Sequence, residues 1–560
     1  PLLQKNTSGW TYIANKTNTM PKIIVLDNIA QQGLAILDQH ADIEYDVCTG
    51  LAGDDLRNAL LEADGGICRS GVTLNENSLI GNSRLKVIVR AGVGTDNIDK
   101  AAATRQGIIV MNTPTGNTFS TAEHTLTLLL ALSRNVAPAF HSLQAGKWDR
   151  KKYMGAQLAD KVLGIVGLGR IGIEVAKRAK AFQMELIGYD PFLTSEQAGK
   201  IGLELCDTVH DMLPRVDYLT VHTPLTPETK GLIGHEELKI IKPGARLINC
   251  ARGGIYDESA LATGIDDGTL AGVALDVFET EPCTDSPLFQ KPGVLCTPHL
   301  GASTEEAQTQ VAVEAVNLAI NYLTTGVIRH AVNMAAVDPA TLEALAGYLD
   351  LAYRMGIFLA QWQQGNVKQL TIEYRGEVSK EDIQLLTASL CAGLLQRALD
   401  TNVNIVNAKV LLQERGIELK ENITSEMSAF RSSITATIET DKQSYTAGGT
   451  VFGNHMPRLI QIDGMRLESY LDGNMLVFIH NDVPGIIGLM GSSLGQHEIN
   501  IAQMSVGRAI SDHPGGKAIG VLNLDSIPPV EVTQDLESHP GIHDAKVIEM
   551  PAVGEKPPWF

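Results

Sequence analysis

No apolar stretch in the 560-residue sequence is long enough to cross a bilayer. The longest, LTLLLALS from Leu126 to Ser133, falls far short of the roughly 20 residues a spanning helix needs. Paired cysteines are missing too. Cys48, Cys68, Cys206, Cys250, Cys283, Cys296 and Cys391 are odd in number, scattered and form no C-x-x-C. That pattern excludes a disulfide framework or zinc knuckle, leaves no metal site to expect, and predicts a reducing compartment, the cytoplasm. Positive charge is scarce: 45 basic residues face 64 acidic ones, a net charge of −19. A chain so acidic has no general affinity for nucleic acid or anionic membrane, so an anionic substrate requires basic side chains gathered locally. Low-complexity tracts and short-period repeats are absent. Residues 1–19 lack arginine and any apolar segment, so they read as a polar N-terminal extension rather than a secretory signal. Met20, followed by PKIIVLD, reads as a natural start.

What is present is an alternation of buried-type strands with helical text, the rhythm of an α/β parallel sheet. It begins with KIIVLD, AQQGLAILDQH, GGICRS and LKVIVRAG. A long apolar helix over about 120–143 then leads to a second run: KVLGIVGLGRIG, ELIGYDP, YLTVHTP, ARLINCARGG and LAGVALDVF. The length exceeds one core. The expected architecture is two doubly wound, Rossmann-like domains, one inserted in the other. Residues 20–118 with 307–345 form a discontinuous substrate-binding domain, and 119–306 a nucleotide-binding domain. Mixed helix and strand text over 346–472 predicts an α+β intervening domain. From 473 to 560 the order strand, helix, strand, strand, helix, strand predicts a ferredoxin-like module.

Gly167-x-Gly169-x-x-Gly172 follows the apolar run Val162–Val166 and opens a helical stretch. In that context the spacing has a mechanism. Gly167 makes the tight turn, Gly169 lets backbone approach a pyrophosphate, and Gly172 lets helix and strand pack closely. The helix N-terminus then presents N–H groups to phosphate. Asp190 ends the next strand, where a carboxylate accepts from ribose hydroxyls and repels a 2′-phosphate, so NAD is expected rather than NADP.

Three further segments fall at the ends of later strands: NCARGGIYDE with Arg252, ALDVFETEP with Glu281, and TPHLGAST with His299. A planar guanidinium pairs with a carboxylate, which suits a 2-hydroxy or 2-oxo acid. A histidine backed by a carboxylate suits a proton acceptor for a hydroxyl whose carbon loses hydride. These segments resemble those of the D-2-hydroxyacid dehydrogenases, and within them the phosphoglycerate dehydrogenases. The resemblance implies that Arg252 holds the substrate carboxylate and that Glu281 pairs with His299, which takes the proton. It places cofactor contacts on Val93, Arg170, Ile171, Asp190, Thr223, Cys250, Ala251, Asp276, Gly301 and Ala302, beside the three motif glycines.

On the substrate side, Arg69 and Ser70 stand at a strand tip, and Arg90 precedes the loop Gly92-Val93-Gly94, whose N–H groups can bind oxygens. Asn117 lies at the domain crossing, and GKWDRKKYMG supplies Lys147, Arg150, Lys151 and Lys152. In the resembling dehydrogenases these segments surround the 3-phosphate of 3-phosphoglycerate, the substrate this implies, as the first step towards L-serine. Another 2-hydroxy acid, such as glycerate or 2-hydroxyglutarate, is the alternative, and a non-catalytic NAD-sensing protein like the corepressors built on this fold is a third. NDVPGIIGLMGSSLGQHEINIAQMSVGR resembles an ACT domain, which implies L-serine as effector at Asp482 and Asn500 and pairing into a homo-oligomer, a dimer or tetramer. Lys442, His455, Arg458 and Arg466 are a candidate anion site in the intervening domain.

Overall fold

The computed structural model describes residues 4–6, 9–11, 20–334, 339–399, 403–427, 429–453, 455–508 and 516–559. Most of the expected extension 1–19 lies outside them; 4–6 and 9–11 pair as an antiparallel ribbon.

Residues from 22 onward build a five-stranded parallel sheet in the order Glu44–Val47, Lys22–Val25, Gly65–Cys68, Val87–Arg90, Ile109–Asn112. Apart from the edge strand Glu44–Val47, its strands are buried on both faces, as parallel sheets with helices above and below require. The helix Glu305–Thr325 returns to cover one face, with Val311, Ala315, Val316 and Ala319 in the same core as Ile23, Val25, Val87 and Val89. Thr304 caps this helix by accepting from the Ala307 N–H at 3.2 Å.

The second sheet is seven-stranded and parallel. Its order is Glu204–Leu205, Glu185–Tyr189, Val162–Val166, Tyr218–Val221, Ala245–Asn249, Leu270–Leu275, Val294–Cys296. This is the 3-2-1-4-5-6 order of dinucleotide-binding folds with one strand added. The order reverses between Val162–Val166 and Tyr218–Val221, so the ligand crevice lies beyond their carboxyl ends, at the glycine turn.

The single helix expected over about 120–143 is two, Thr118–Ser133 and Val136–Gln144. Asn135 parts them with φ 51°, a left-handed residue that an α-helix cannot incorporate.

The C-terminal half forms one sheet of ten strands. The strands of the 346–472 segment end at Met465–Tyr470, which pairs with Ile501–Arg508 through Arg466 and Arg508. The ferredoxin-like module therefore continues the preceding sheet edge to edge, which the strand pattern did not foretell. Along Asn474–Asn481, Leu476 and Phe478 face the core under the helices Ile486–Gln496 and Val530–Glu537, while Met475 and Val477 face the other core. That second core is built on Pro339–Trp362, a helix that spans the expected boundary at 345 and 346. No helix among the described residues is long and apolar enough to cross a membrane.

Candidate active site

The glycine turn has the geometry its spacing requires. Gly167 takes φ 89°, and a Cβ there would lie 2.8 Å from the His222 backbone. A Cβ on Gly172 would fall 2.1 Å from the Gly167 carbonyl oxygen, so the helix Arg170–Ala181 can start this close only with glycine. Gly169, at its N-cap, has nothing within 4 Å of a Cβ position. That open side of the turn is where a pyrophosphate can reach the helix N-terminus, with Arg170 and Ile171 in the first helical turn. Asp190 braces the turn by accepting from the Leu168 N–H at 2.7 Å and the Phe192 N–H at 2.8 Å.

The Thr223 hydroxyl, after the strand Tyr218–Val221, and the Asn117 Oδ1 are buried with no hydrogen-bond partner among the described residues. A buried polar group left unpaired is costly, so both fit a site completed by a polar ligand. NAD fits this donor set. Desolvation pushes the His222 pKa down to about 3, so it stays neutral. Burial likewise pushes the Cys250 thiol up to about 12, which makes it packing rather than nucleophile. Ala251 follows, its N–H donating to Asn249 Oδ1 at 2.9 Å.

His299 and Glu281 meet. The His299 Nδ1 lies 2.7 Å from Glu281 Oε2, and Glu281 Oε1 accepts from the Phe278 N–H at 3.0 Å. Burial pushes the Glu281 carboxyl up, but the bonds from His299 and Phe278 outweigh it and the net displacement is downward. Glu281 is therefore an anion, and the second ring nitrogen of His299 has no hydrogen-bond partner among the described residues. Half the His299 side chain is exposed. Its backbone is left-handed, φ 56°, fixed by its N–H donating to the Asp276 carbonyl at 2.8 Å and the Thr297 carbonyl at 3.0 Å.

Asp276, fully buried, organises the loop after His299. Its carboxylate accepts from the Thr297 hydroxyl at 2.6 Å, the Leu300 N–H at 2.7 Å and the Gly301 N–H at 2.8 Å, and lies 3.1 Å from His124 Nε2. Desolvation alone would raise its pKa; those bonds reverse the sign. The Gly301 carbonyl accepts from Ser120 at 2.7 Å, and the Ala302 carbonyl from Gln308 at 2.6 Å. His124 did not stand out in the sequence, being one histidine in an apolar helix.

Across the cleft stand Arg69 and Arg90 of the five-stranded sheet, and Arg252 reaches towards them from the seven-stranded one. Burial lowers the Arg90 pKa, and Arg69 and Arg252 stand near enough to lower it further by repulsion. Arg90 Nε is buried with no partner among the described residues. A Cβ on Gly92 would sit 1.7 Å from Arg90 Nη1, and one on Gly94 1.7 Å from Arg252 Nη2. The loop between them, with the Val93 carbonyl accepting from Asn112 at 2.6 Å, thus lies directly against both guanidinium groups. Arg69 donates to the Asn28 carbonyl at 3.2 Å, and Ser70 beside it is exposed. Arg252 also pairs with Asp96, a residue that no motif had singled out.

Other expected residues stand apart. Arg150, with Lys147, Lys151 and Lys152, is exposed on the turn after Val136–Gln144, and no contact ties it to the three arginines. Asp482 pairs with Arg508 at 2.7 Å, and the Asn500 amide donates to Asp525 at 2.8 Å. Arg458 stacks 4.1 Å from the Tyr470 ring, whereas Lys442 packs at the Gly365 turn, so the candidate anion residues of the intervening segment do not form one cluster.

A Rossmann crevice, a histidine–carboxylate pair and arginines drawn from both parallel sheets define an NAD-dependent dehydrogenase of D-2-hydroxy acids. Residues 126–301 match the NAD binding domain of the D-isomer specific 2-hydroxyacid dehydrogenases, and 344–463 match the D-3-phosphoglycerate dehydrogenase intervening domain. The D-3-phosphoglycerate dehydrogenase of Methanocaldococcus jannaschii is 40% identical over 531 residues, covering 95% of this chain and 100% of its own. That of Bacillus subtilis is 39% identical over 532 residues, again 95% and 100%. The chain belongs to the D-3-phosphoglycerate dehydrogenase family. Among solved structures, an NAD-dependent formate dehydrogenase of Staphylococcus aureus in complex with NAD is similar. Its TM-score is 0.51 at 28% identity, over 56% of this chain and 100% of that one.

Proposed function

We propose that the chain oxidises the C2 hydroxyl of 3-phosphoglycerate to 3-phosphohydroxypyruvate, the first step of L-serine synthesis. The observation that carries this is the cluster of Arg69, Arg90 and Arg252 facing the His299–Glu281 pair. A substrate with a carboxylate at one end and a phosphate at the other supplies the two anions such a cluster needs. Arg252 holds the carboxylate, and Arg69 and Arg90 hold the phosphate. His299 accepts the hydroxyl proton on the ring nitrogen that Glu281 leaves free, and Glu281 stabilises the imidazolium that results. Bound NAD supplies the hydride acceptor. The test compares kcat/KM for 3-phosphoglycerate, glycerate and 2-hydroxyglutarate in wild type, Arg69→Ala and Arg90→Ala. The wild type should prefer the phosphorylated acid, and each substitution should erode that preference by roughly tenfold or more. A wild type that turns over 2-hydroxyglutarate as well as 3-phosphoglycerate contradicts the assignment.

We further propose that the protein is a cytoplasmic homo-oligomer with L-serine as effector. Seven free cysteines suit a reducing compartment. Phe119, Val136, Phe140, Leu143, Trp148 and Met154 are exposed along the two helices after residue 118 and the turn beyond, an apolar area that association would cover. Serine's ammonium would compete with Arg508 for Asp482. Titration calorimetry with L-serine on wild type and Asp482→Ala checks this: binding should be seen in the first and lost in the second.

A further inference from the structure

We propose that Asp96 is the positioning residue for Arg252, setting the plane in which its guanidinium meets the substrate carboxylate. This rests on the reading of the cleft given above. Asp96 lies in the loop after Val87–Arg90 of the five-stranded sheet, and Arg252 in the loop after Ala245–Asn249 of the seven-stranded one. Their ion pair joins the two sides of the cleft across 156 residues of chain.

A guanidinium has five N–H donors in a fixed fork. Arg252 Nε donates to Asp96 Oδ2 at 2.9 Å and Nη1 to the Ala251 carbonyl at 2.6 Å. Two acceptors at different corners fix both the position and the tilt of the plane. The donors that remain are on Nη1 and Nη2, so a carboxylate is left the end-on, bidentate approach. Gly94 packs against Nη2, where any Cβ would collide, which closes off displacement on that side.

Asp96 is 69% exposed, so its Coulomb attraction is well screened. Its value is therefore geometric, and this gives the test a sign. By charge alone, removing a carboxylate from beside an anionic substrate should tighten binding. By positioning, it should weaken binding, because Arg252 loses its second anchor and Arg90 repels it without an intervening negative charge.

The experiment compares wild type, Asp96→Ala and Asp96→Asn, the last of which keeps an acceptor oxygen for Nε. Steady-state kinetics with 3-phosphoglycerate should show KM raised roughly tenfold in the alanine variant. The same variant should keep kcat within about threefold and an unchanged KM for NAD, and asparagine should recover most of the loss. Calorimetric titration of tartronate into the NADH complex of each variant reads the same contact without turnover. An alanine variant whose KM and tartronate affinity equal or better those of wild type overturns the proposal. A wild type inactive on 3-phosphoglycerate defeats the substrate assignment instead, and the tartronate series still decides the role of Asp96.

Discussion

His299 holds φ 56° in a loop whose N–H groups are tied to Asp276, so the ring that faces Glu281 is placed by its neighbours' backbone as much as by its own contacts. Replacing Glu281 by Gln keeps a partner of the same shape and removes the charge that steadies an imidazolium. kcat should fall by roughly ten- to a hundredfold while NAD affinity, measured by calorimetry, stays unchanged. Wild-type turnover in that variant would leave His299 working alone. Arg252, Glu281 and His299 were legible from sequence because each sits in a short segment at a strand end. Asp96 was not, since its role exists only through a contact across the cleft. Arg150 was named from the basic text around it, and its side chain lies exposed on the turn after Val136–Gln144, because composition does not fix where a turn points.

The turn that opens Arg170–Ala181 separates two jobs done by glycine. Gly169→Val should fold with near wild-type thermal stability and bind NAD at least about tenfold more weakly, since its side chain would fill the open side of the turn that a pyrophosphate needs to reach the helix N-terminus. Gly172→Ala should instead lower Tm, because its Cβ meets the Gly167 carbonyl. In the loop after Leu270–Leu275, the Asp276 carboxyl is held below its ordinary value despite burial, as its hydrogen bonds outweigh desolvation. A depressed folded-state pKa contributes stability above the unfolded value and loses it as pH falls through the folded one. The Tm difference between wild type and Asp276→Asn should therefore be constant above about pH 5 and shrink towards pH 3. A difference that grows with acid would reverse the sign assigned to Asp276. Central strands were readable as apolar runs, but the edge strand Glu44–Val47 was missed. Its mostly exposed residues carry no apolar pattern, and its strand character comes from pairing with Lys22–Val25.

At the scale of the whole chain, the C-terminal tail is locked to the helix Pro339–Trp362 by one buried side chain. Arg354, 1% exposed, pairs with Asp350 at 2.7 Å and donates to the carbonyls of Leu471, Pro551, Ala552 and Glu555. It thereby ties together the turn before the ferredoxin-like module and the segment after it. Arg354→Met should destabilise this half by roughly 3–5 kcal/mol and expose residues 551–559 to limited proteolysis, because it strands Asp350 and four carbonyls. Dehydrogenase activity without effector should persist. In sequence Arg354 and Asp350 stood four residues apart in otherwise apolar helical text with nothing to show the carbonyls Arg354 would reach, and the edge pairing of Arg466 with Arg508 had no local signal at all. The glycine motif and the strand-end segments, by contrast, were readable because the doubly wound topology puts strand ends and function in one place. The central claim is that His299 removes a proton while the cleft holds an organic acid beside NAD. Absorbance at the NADH band, with NAD and 3-phosphoglycerate, tests it on wild type and His299→Ala, with NAD affinity measured in parallel. Wild type should form NADH, and the variant should bind NAD normally with kcat lower by at least about a hundredfold. A variant that turns over near the wild-type rate, or a wild type that forms no NADH, would contradict it.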